Sequence, residues 1–175
     1  MIRTATNNDA NAIAAIYNHY IENTVVTFEE QLVDEAQMAE RIQRVQQQGL
    51  PWLVATIDDK VVGYAYATQW KERSAYRYSV ESTVYLDRSY HGKGLGTELY
   101  QALIEHLKPL GFNSVIGGVT LPNPASVALH EKLGMEKVAH FKDVGLKFGQ
   151  WLDVGYWQRT LHTEGDRQNG TENGR

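Results

Sequence analysis

The stretch Arg88-Ser89-Tyr90-His91-Gly92-Lys93-Gly94-Leu95-Gly96-Thr97 places three alternate glycines between a strand-like run and an amphipathic helix. Glycine lets backbone N–H groups crowd onto an anion, and the positive end of a helix dipole adds attraction for phosphate. The stretch reads as a pyrophosphate cradle, with a plain turn as the alternative. Two other phosphate loops fail on spacing. A P-loop needs four residues between its first glycine and a Gly-Lys-Ser/Thr end. A dinucleotide fingerprint needs Gly-x-Gly-x-x-Gly in the opening strand-helix-strand unit, whereas here Gly-x-Gly-x-Gly follows four expected strands.

Working outward, residues 78–86 (Tyr-Ser-Val-Glu-Ser-Thr-Val-Tyr-Leu) are rich in β-branched and aromatic types and predict a strand. Leu95, Leu99, Ala102, Leu103, Ile104 and Leu107 then mark a helix ending near Pro109-Leu110-Gly111. A strand at 113–119 precedes a helix that starts after Pro122-Asn123-Pro124, carries Val127, Leu129 and Leu133, and stops at Gly134. Strands near 136–141 and 151–160 would complete the sheet.

Upstream, a short strand at 2–5 leads to Thr6 and Asp9, an N-cap with an acidic third position, and a helix over 7–21 carrying Ile13, Ile16, Tyr17 and Tyr20. A second helix, Asp34 to Gln48, has Met38, Ile42 and Val45 on one stripe and Gly49 as its stop signal. Residues 52–70 read as a hairpin turning at Asp58-Asp59, and 71–77 as a polar loop. The order β-α-α-β-β-β-α-β-α-β-β predicts an α/β fold with a mixed sheet.

The chain has 175 residues, 17 Lys+Arg against 21 Asp+Glu, 42% hydrophobic residues and no cysteine. That length fits one domain, expected over 1–161, with a polar and disordered tail over 162–175. The net charge of −4 argues against nucleic acid as a general partner. Without cysteine there is no disulfide frame, no thiol nucleophile and no Cys-ligated zinc. The six histidines show no metal-ligand spacing, so no metal is expected. The N-terminus lacks the apolar core of a signal peptide, and no run of about 18 apolar residues occurs, so the expected setting is soluble, cytoplasmic and off the membrane.

The glycine loop also resembles the signature of the GNAT family of acetyl-CoA-dependent N-acetyltransferases, Gln/Arg-x-x-Gly-x-Gly/Ala, at the mouth of the helix after the fourth strand. Here it reads His91-Gly92-Lys93-Gly94-Leu95-Gly96, with His91 in place of Gln or Arg. A second family motif, an Asn ahead of a helix ending in Tyr-x-x-x-Gly-Phe, is similar to the run from Asn123 to Met135, with His130 at the Tyr position and Met135 at the Phe position. The resemblance covers about 2–160. It is closer to the phosphinothricin and methionine sulfoximine N-acetyltransferase branch through Tyr17-Asn18-His19-Tyr20-Ile21, Pro51-Trp52-Leu53-Val54-Ala55, Glu81-Ser82-Thr83-Val84-Tyr85, Leu121-Pro122-Asn123 and the segment from Gly149 to Gly155. It implies the GNAT fold, a mostly antiparallel central sheet with flanking helices, and a homodimer.

The resemblance also implies a division of labour. Gly92, Lys93, Gly94, Leu95, Gly96 and Thr97 would grip the phosphates of acetyl-CoA. Val84, Tyr85 and Leu86, at the end of a splayed strand, would align its pantetheine arm as an added pseudo-strand. Asn123 and Ser126 would reach the arm from the other side, or serve only as a helix cap and a helix residue. Glu81 is an acid in a strand of Val, Thr and Tyr, where a carboxylate is costly unless paired or functional. It matches the branch's catalytic Glu and would act as general base; an arginine-paired surface residue is the alternative. His130 titrates near neutral pH and would act as acid to the leaving thiolate or in the base relay.

Acceptor preference is assigned to the loop Trp70 to Tyr78, whose cations among aromatics suit a small amino acid with a second acidic or strongly polar group. By analogy Lys71, Arg73 and Tyr76 are contacts, with Arg77 beside them, and Val26, Thr27 and Phe28 form the other wall. Trp70, Trp151 and Trp157 are assigned to the core or a dimer contact. The expected activity is acetyl transfer from acetyl-CoA to the α-amino group of such a substrate by direct attack. The alternatives are a peptide N-terminus or other amine as acceptor, or an acetyl-CoA-binding module without turnover.

Overall fold

The computed structural model describes residues 1–162, so the expected tail beyond His162 lies outside the described residues. The strands are β1 (Ile2–Thr4), β2 (Trp52–Ile57), β3 (Lys60–Gln69), β4 (Ser79–Leu86), β5 (Ser114–Leu121), β6 (Glu136–Lys147) and β7 (Gln150–Thr160). The helices are α1 (Ala10–Asn23), α2 (Glu35–Gln47), α3 (Leu95–Leu107) and α4 (Pro124–Lys132). They form one sheet in the order β1-β2-β3-β4-β5-β7-β6, in which only β4 and β5 run parallel.

Local chemistry explains most of the boundaries. The Asp9 carboxylate accepts from the Thr6 N–H at 2.8 Å and from its hydroxyl at 3.1 Å, and the first turn is a 3-10 turn, Asn7–Asp9, ahead of α1. Asp34 caps α2 by accepting from the Gln37 N–H at 2.8 Å, while the Gln37 side chain accepts from the Asp34 N–H at 3.0 Å. Asp58 and Asp59 both take positive φ, 48° and 61°, the pattern of a tight two-residue hairpin turn.

The C-terminal hairpin is longer than its periodicity suggests. The strand expected at 136–141 continues to Lys147, and its partner starts at Gln150. The register shifts between Phe141 and Gly145, with Asp143 at φ 49°, so the alternation of inward and outward residues breaks where the sequence reading stops.

Alternation in β3 sorts the core. Tyr64 and Tyr66 stack with Trp52, at 5.8 and 4.1 Å between centroids, on the face that carries Tyr85 and Tyr17 of α1. Gly63, Ala65 and Ala67 lie on the opposite face, where small residues admit α3: a Cβ on Gly63 would stand 3.5 Å from Leu99. In α3, Leu99, Tyr100, Leu103, Ile104 and Leu107 are all fully buried, and side chains of this size contribute about 1.5–3 kcal/mol each when withdrawn from water. The three tryptophans assigned together separate: Trp157 is core, Trp151 is 63% exposed on the terminal hairpin, and Trp70 lines the cleft described next.

Candidate active site

Strands β4 and β5 pair only through Ser79, Val80 and Glu81 against Ser114, Val115 and Ile116. Beyond that point β4 stays bound to β3 as far as Leu86, and β5 stays bound to β7 as far as Leu121. Each strand is held by its outer neighbour while the two inner edges part, which opens a V in the middle of the sheet. Backbone polar groups along the V lack the sheet partners that the rest of β4 and β5 enjoy. Two connected hollows occupy it.

The first is a groove of about 470 Å³ lined by Tyr20, Val84, Tyr85, Leu86, His91, Gly92, Gly94, Gly96, Thr97, Asn123, Ser126, Leu129 and Lys132, among others. Gly92 and Gly94 adopt φ of 73° and 82°, conformations that glycine takes without penalty. Gly94 is the N-cap of α3 and offers no side-chain cap, so the N–H groups of the first helical turn face outward unsatisfied. Thr97 lines the groove; Leu95 and Lys93 do not. The Lys93 ammonium turns back to donate to the Ser89 carbonyl at 3.0 Å and stands 5.1 Å from the Tyr90 ring. A long groove with an amide-rich end and an unpaired strand edge fits the pyrophosphate and amide-bearing arm of acetyl-CoA.

The second hollow, about 630 Å³, is the cleft proper, and it holds Glu81 and His130 together with Val84, Tyr85, Asn123 and Ser126. Glu81 reaches it from the sheet face it shares with Gly118: a Cβ on Gly118 would stand 3.5 Å from Glu81 Oε1 and 3.2 Å from the Tyr156 ring. Burial pushes the Glu81 carboxyl above its ordinary range, and the charge of Lys71 pulls it partly back.

His130 enters from the other face. Its Nδ1 lies 2.6 Å from the Ser126 carbonyl one turn earlier, and a carbonyl can only accept, so Nδ1 carries the proton. Burial pushes the imidazole pKa down, against the pull of that carbonyl. The ring is therefore neutral near pH 7, with Nε2 free to accept. The Tyr100 ring meets it edge-on at 5.3 Å, and the Tyr100 hydroxyl is hydrogen-bonded to Ser82 Oγ. Asn123 does cap α4, accepting from the Ser126 N–H at 3.1 Å, which leaves its amide nitrogen for the groove.

Of the acceptor-loop residues, Lys71 stands on the cleft rim, 4.9 Å from the Trp70 ring. Arg73 and Tyr76 line a separate depression with Arg44 and Gln48, and Arg77 lies against the Tyr78 ring at 4.6 Å. Within one chain these three do not meet Glu81. Val26, Thr27 and Phe28 line the same cleft. Sequence reasoning missed Trp70, Phe141 and Tyr156, whose rings pack edge to face at 5.5 and 5.9 Å beside Glu81. It also missed Gly117 and Gly118, although paired glycines inside a strand signal a close approach by other groups.

A sheet split between parallel β4 and β5, with a glycine-rich helix mouth at one end of the split and an acid and an imidazole lining one cleft at the other, is consistent with an acyltransferase class. The acetyltransferase (GNAT) domain model matches residues 2–155. Phosphinothricin N-acetyltransferase of Streptomyces viridochromogenes is 42% identical over 158 residues, 90% of this chain and 86% of that one. The L-methionine sulfoximine/L-methionine sulfone acetyltransferase of Salmonella typhimurium is 36% identical, over 91% of this chain and 94% of that one. A GNAT superfamily phosphinothricin acetyltransferase from Sinorhizobium meliloti, solved in complex with AcCoA, superposes with a TM-score of 0.89 at 38% identity, covering 92% and 88% of the two chains.

The chain belongs to the GNAT acetyltransferase family and is an acetyl-CoA-dependent N-acetyltransferase. Within that family it falls in the phosphinothricin and methionine sulfoximine acetyltransferase branch.

Proposed function

We propose that the protein transfers acetyl from acetyl-CoA to the α-amino group of a small amino-acid-like substrate, such as phosphinothricin or methionine sulfoximine, by direct attack with both substrates bound. The observation that carries this reading is that Glu81 and His130 reach one cleft from opposite faces of the split sheet. Glu81 takes the proton from the substrate ammonium, directly or through a water, and its raised pKa makes it a better base than an exposed carboxylate. Backbone N–H groups near Val84 polarise the acyl carbonyl. Neutral His130 accepts at Nε2 the second proton, which the amine nitrogen sheds as it bonds to the acyl carbon, and gives it to the departing thiolate. No covalent acyl-enzyme is needed, since the amine attacks the thioester itself, and the chain has no cysteine and no serine with an evident base to carry the acetyl group.

Gly92, Gly94, Gly96 and Thr97 hold the phosphates, Val84, Tyr85 and Leu86 the arm, and Phe28 and Lys71 the acceptor end. The protein acts as a cytoplasmic homodimer. Exposed Phe141, Leu146, Phe148 and Trp151 on the terminal hairpin support self-association. Thiol release from acetyl-CoA with a panel of amines tests the activity: amino-acid acceptors should outpace peptide N-termini and polyamines. Tight acetyl-CoA binding without turnover on any amine would reduce the protein to a binding module.

A further inference from the structure

Lys147 is 1% exposed, a rare place for an ammonium, and no role in acetyl transfer touches it. Its Nζ donates to the Thr27 carbonyl at 2.8 Å, across 120 positions of sequence. Among the described residues that carbonyl is its hydrogen-bond acceptor, and the ammonium also stands 5.1 Å from the Phe148 ring. Two positions back on β6, Gly145 shares the inward face, and a Cβ there would overlap the Phe28 ring. The terminal hairpin thus grips two successive residues of the turn between α1 and α2.

That turn is also gripped from the helix side. The Thr27 hydroxyl is 2.9 Å from the Tyr17 hydroxyl, which in turn bonds the Glu29 carboxylate, and Arg41 holds Glu29 through two bonds of 2.6 and 2.8 Å. Thr27 is where the two systems meet: its side chain belongs to the helices and its carbonyl to Lys147. Val26, Thr27 and Phe28 line the same cleft as Trp70 and Lys71, so the position of this turn bears on the room left in the cleft.

We propose that Lys147 and Gly145 form a clasp that holds the Thr27–Phe28 turn over the cleft, which makes Lys147 a positioning residue for the amino acceptor. The second half of this rests on the cleft being the acceptor site; the clasp itself does not. Two measurements on full-length K147M separate them. Amide hydrogen exchange of residues 25–30 should rise at least tenfold, with α3 and β2–β3 unchanged. The acceptor KM should rise at least tenfold, with kcat and the KM for acetyl-CoA within about threefold. Unchanged exchange overturns the clasp. Faster exchange with an unchanged acceptor KM overturns the positioning role. If the wild-type protein acetylates no amine, the proposed activity falls, and exchange alone decides the clasp. Should K147M fail to fold, K147Q keeps a polar side chain but is too short to hold the Thr27 carbonyl, and it must give the same two changes for the clasp to stand.

Discussion

His130 Nε2 occupies the space that a side chain on Gly117 would fill. A Cβ there would overlap the imidazole and stand 3.1 Å from the Tyr100 hydroxyl. The absence of a side chain on β5 therefore lets a ring from α4 reach the split in the sheet. G117A should displace the imidazole by a fraction of an ångström or more and lower kcat by about 10²-fold, since a misplacement of that order is enough to disturb an aligned reaction. Acetyl-CoA affinity, measured by calorimetry, should stay within a few fold. An unchanged kcat would remove His130 Nε2 from the chemistry.

Glu81 must be ionised to accept a proton, and burial holds its pKa above the ordinary carboxylate value while Lys71 pulls it back. The acid limb of kcat/KM should accordingly fall above the usual carboxylate range. K71M removes the opposing pull, so the limb should move to still higher pH. E81Q should lose at least about 100-fold in kcat at every pH. A pH–rate profile checks both variants; a limb that stays in place in K71M would show that Glu81 is not the titrating base.

Gly94 has φ of 82° and open space around its missing Cβ. Alanine there meets no neighbour, and its cost is backbone strain of about 1–2 kcal/mol for an L residue in the left-handed region. G94A should raise the Kd for acetyl-CoA about tenfold by shifting the N–H groups of the helix mouth, with little change in acceptor KM. Equal affinity in G94A and wild type would exclude the loop as the phosphate grip.

The carboxylate of Asp9, 6% exposed, takes two bonds of 2.8 Å from Arg3 and is capped by Thr6. The Arg3 hydrogen bonds, ahead of the opposing effect of burial, hold its pKa below the ordinary value. A depressed folded-state pKa contributes stability above the unfolded pKa and loses it as pH falls through the folded value. D9N should therefore cost about 1.5–3 kcal/mol at pH 7, the range for hydrogen bonds to a charged group. The gap between the two proteins should begin to narrow below the ordinary Asp pKa and vanish only once pH has fallen through the depressed folded-state value. Denaturant melts at pH 7 and at steps below the ordinary Asp pKa test this, and a gap that does not narrow at all as pH falls would rule the ion pair out as its source.

Legibility in the sequence followed the range of the interaction. The glycine loop, the stripe of α3 and the Asp58-Asp59 turn are written within a few residues and were readable there. So was Glu81, because an acid among β-branched and aromatic residues is anomalous wherever the strand goes. The far half of β6 was not readable: the bulge after Phe141 shifts the inward positions, and no local pattern marks a bulge in advance. Trp70 looked like a core residue because an aromatic between strand and loop has the same local signature on either side of a cleft.

The sequence by itself determined the elements, their order, the glycine-rich helix mouth and the acid in β4. Side-chain periodicity and backbone preference act over one or two turns and need no partner. Only the tertiary structure decided that β4 and β5 part after Glu81, that His130 and Glu81 line one cleft at that gap, that Phe141 and Tyr156 join Trp70 there, and that Lys147 holds Thr27. Each of these depends on strand register and on which outer neighbour holds each strand, quantities fixed by the sum of pairings over the whole sheet. A hydrophobic pattern shows which face of an element is buried, while the identity of the group buried against it belongs to the fold.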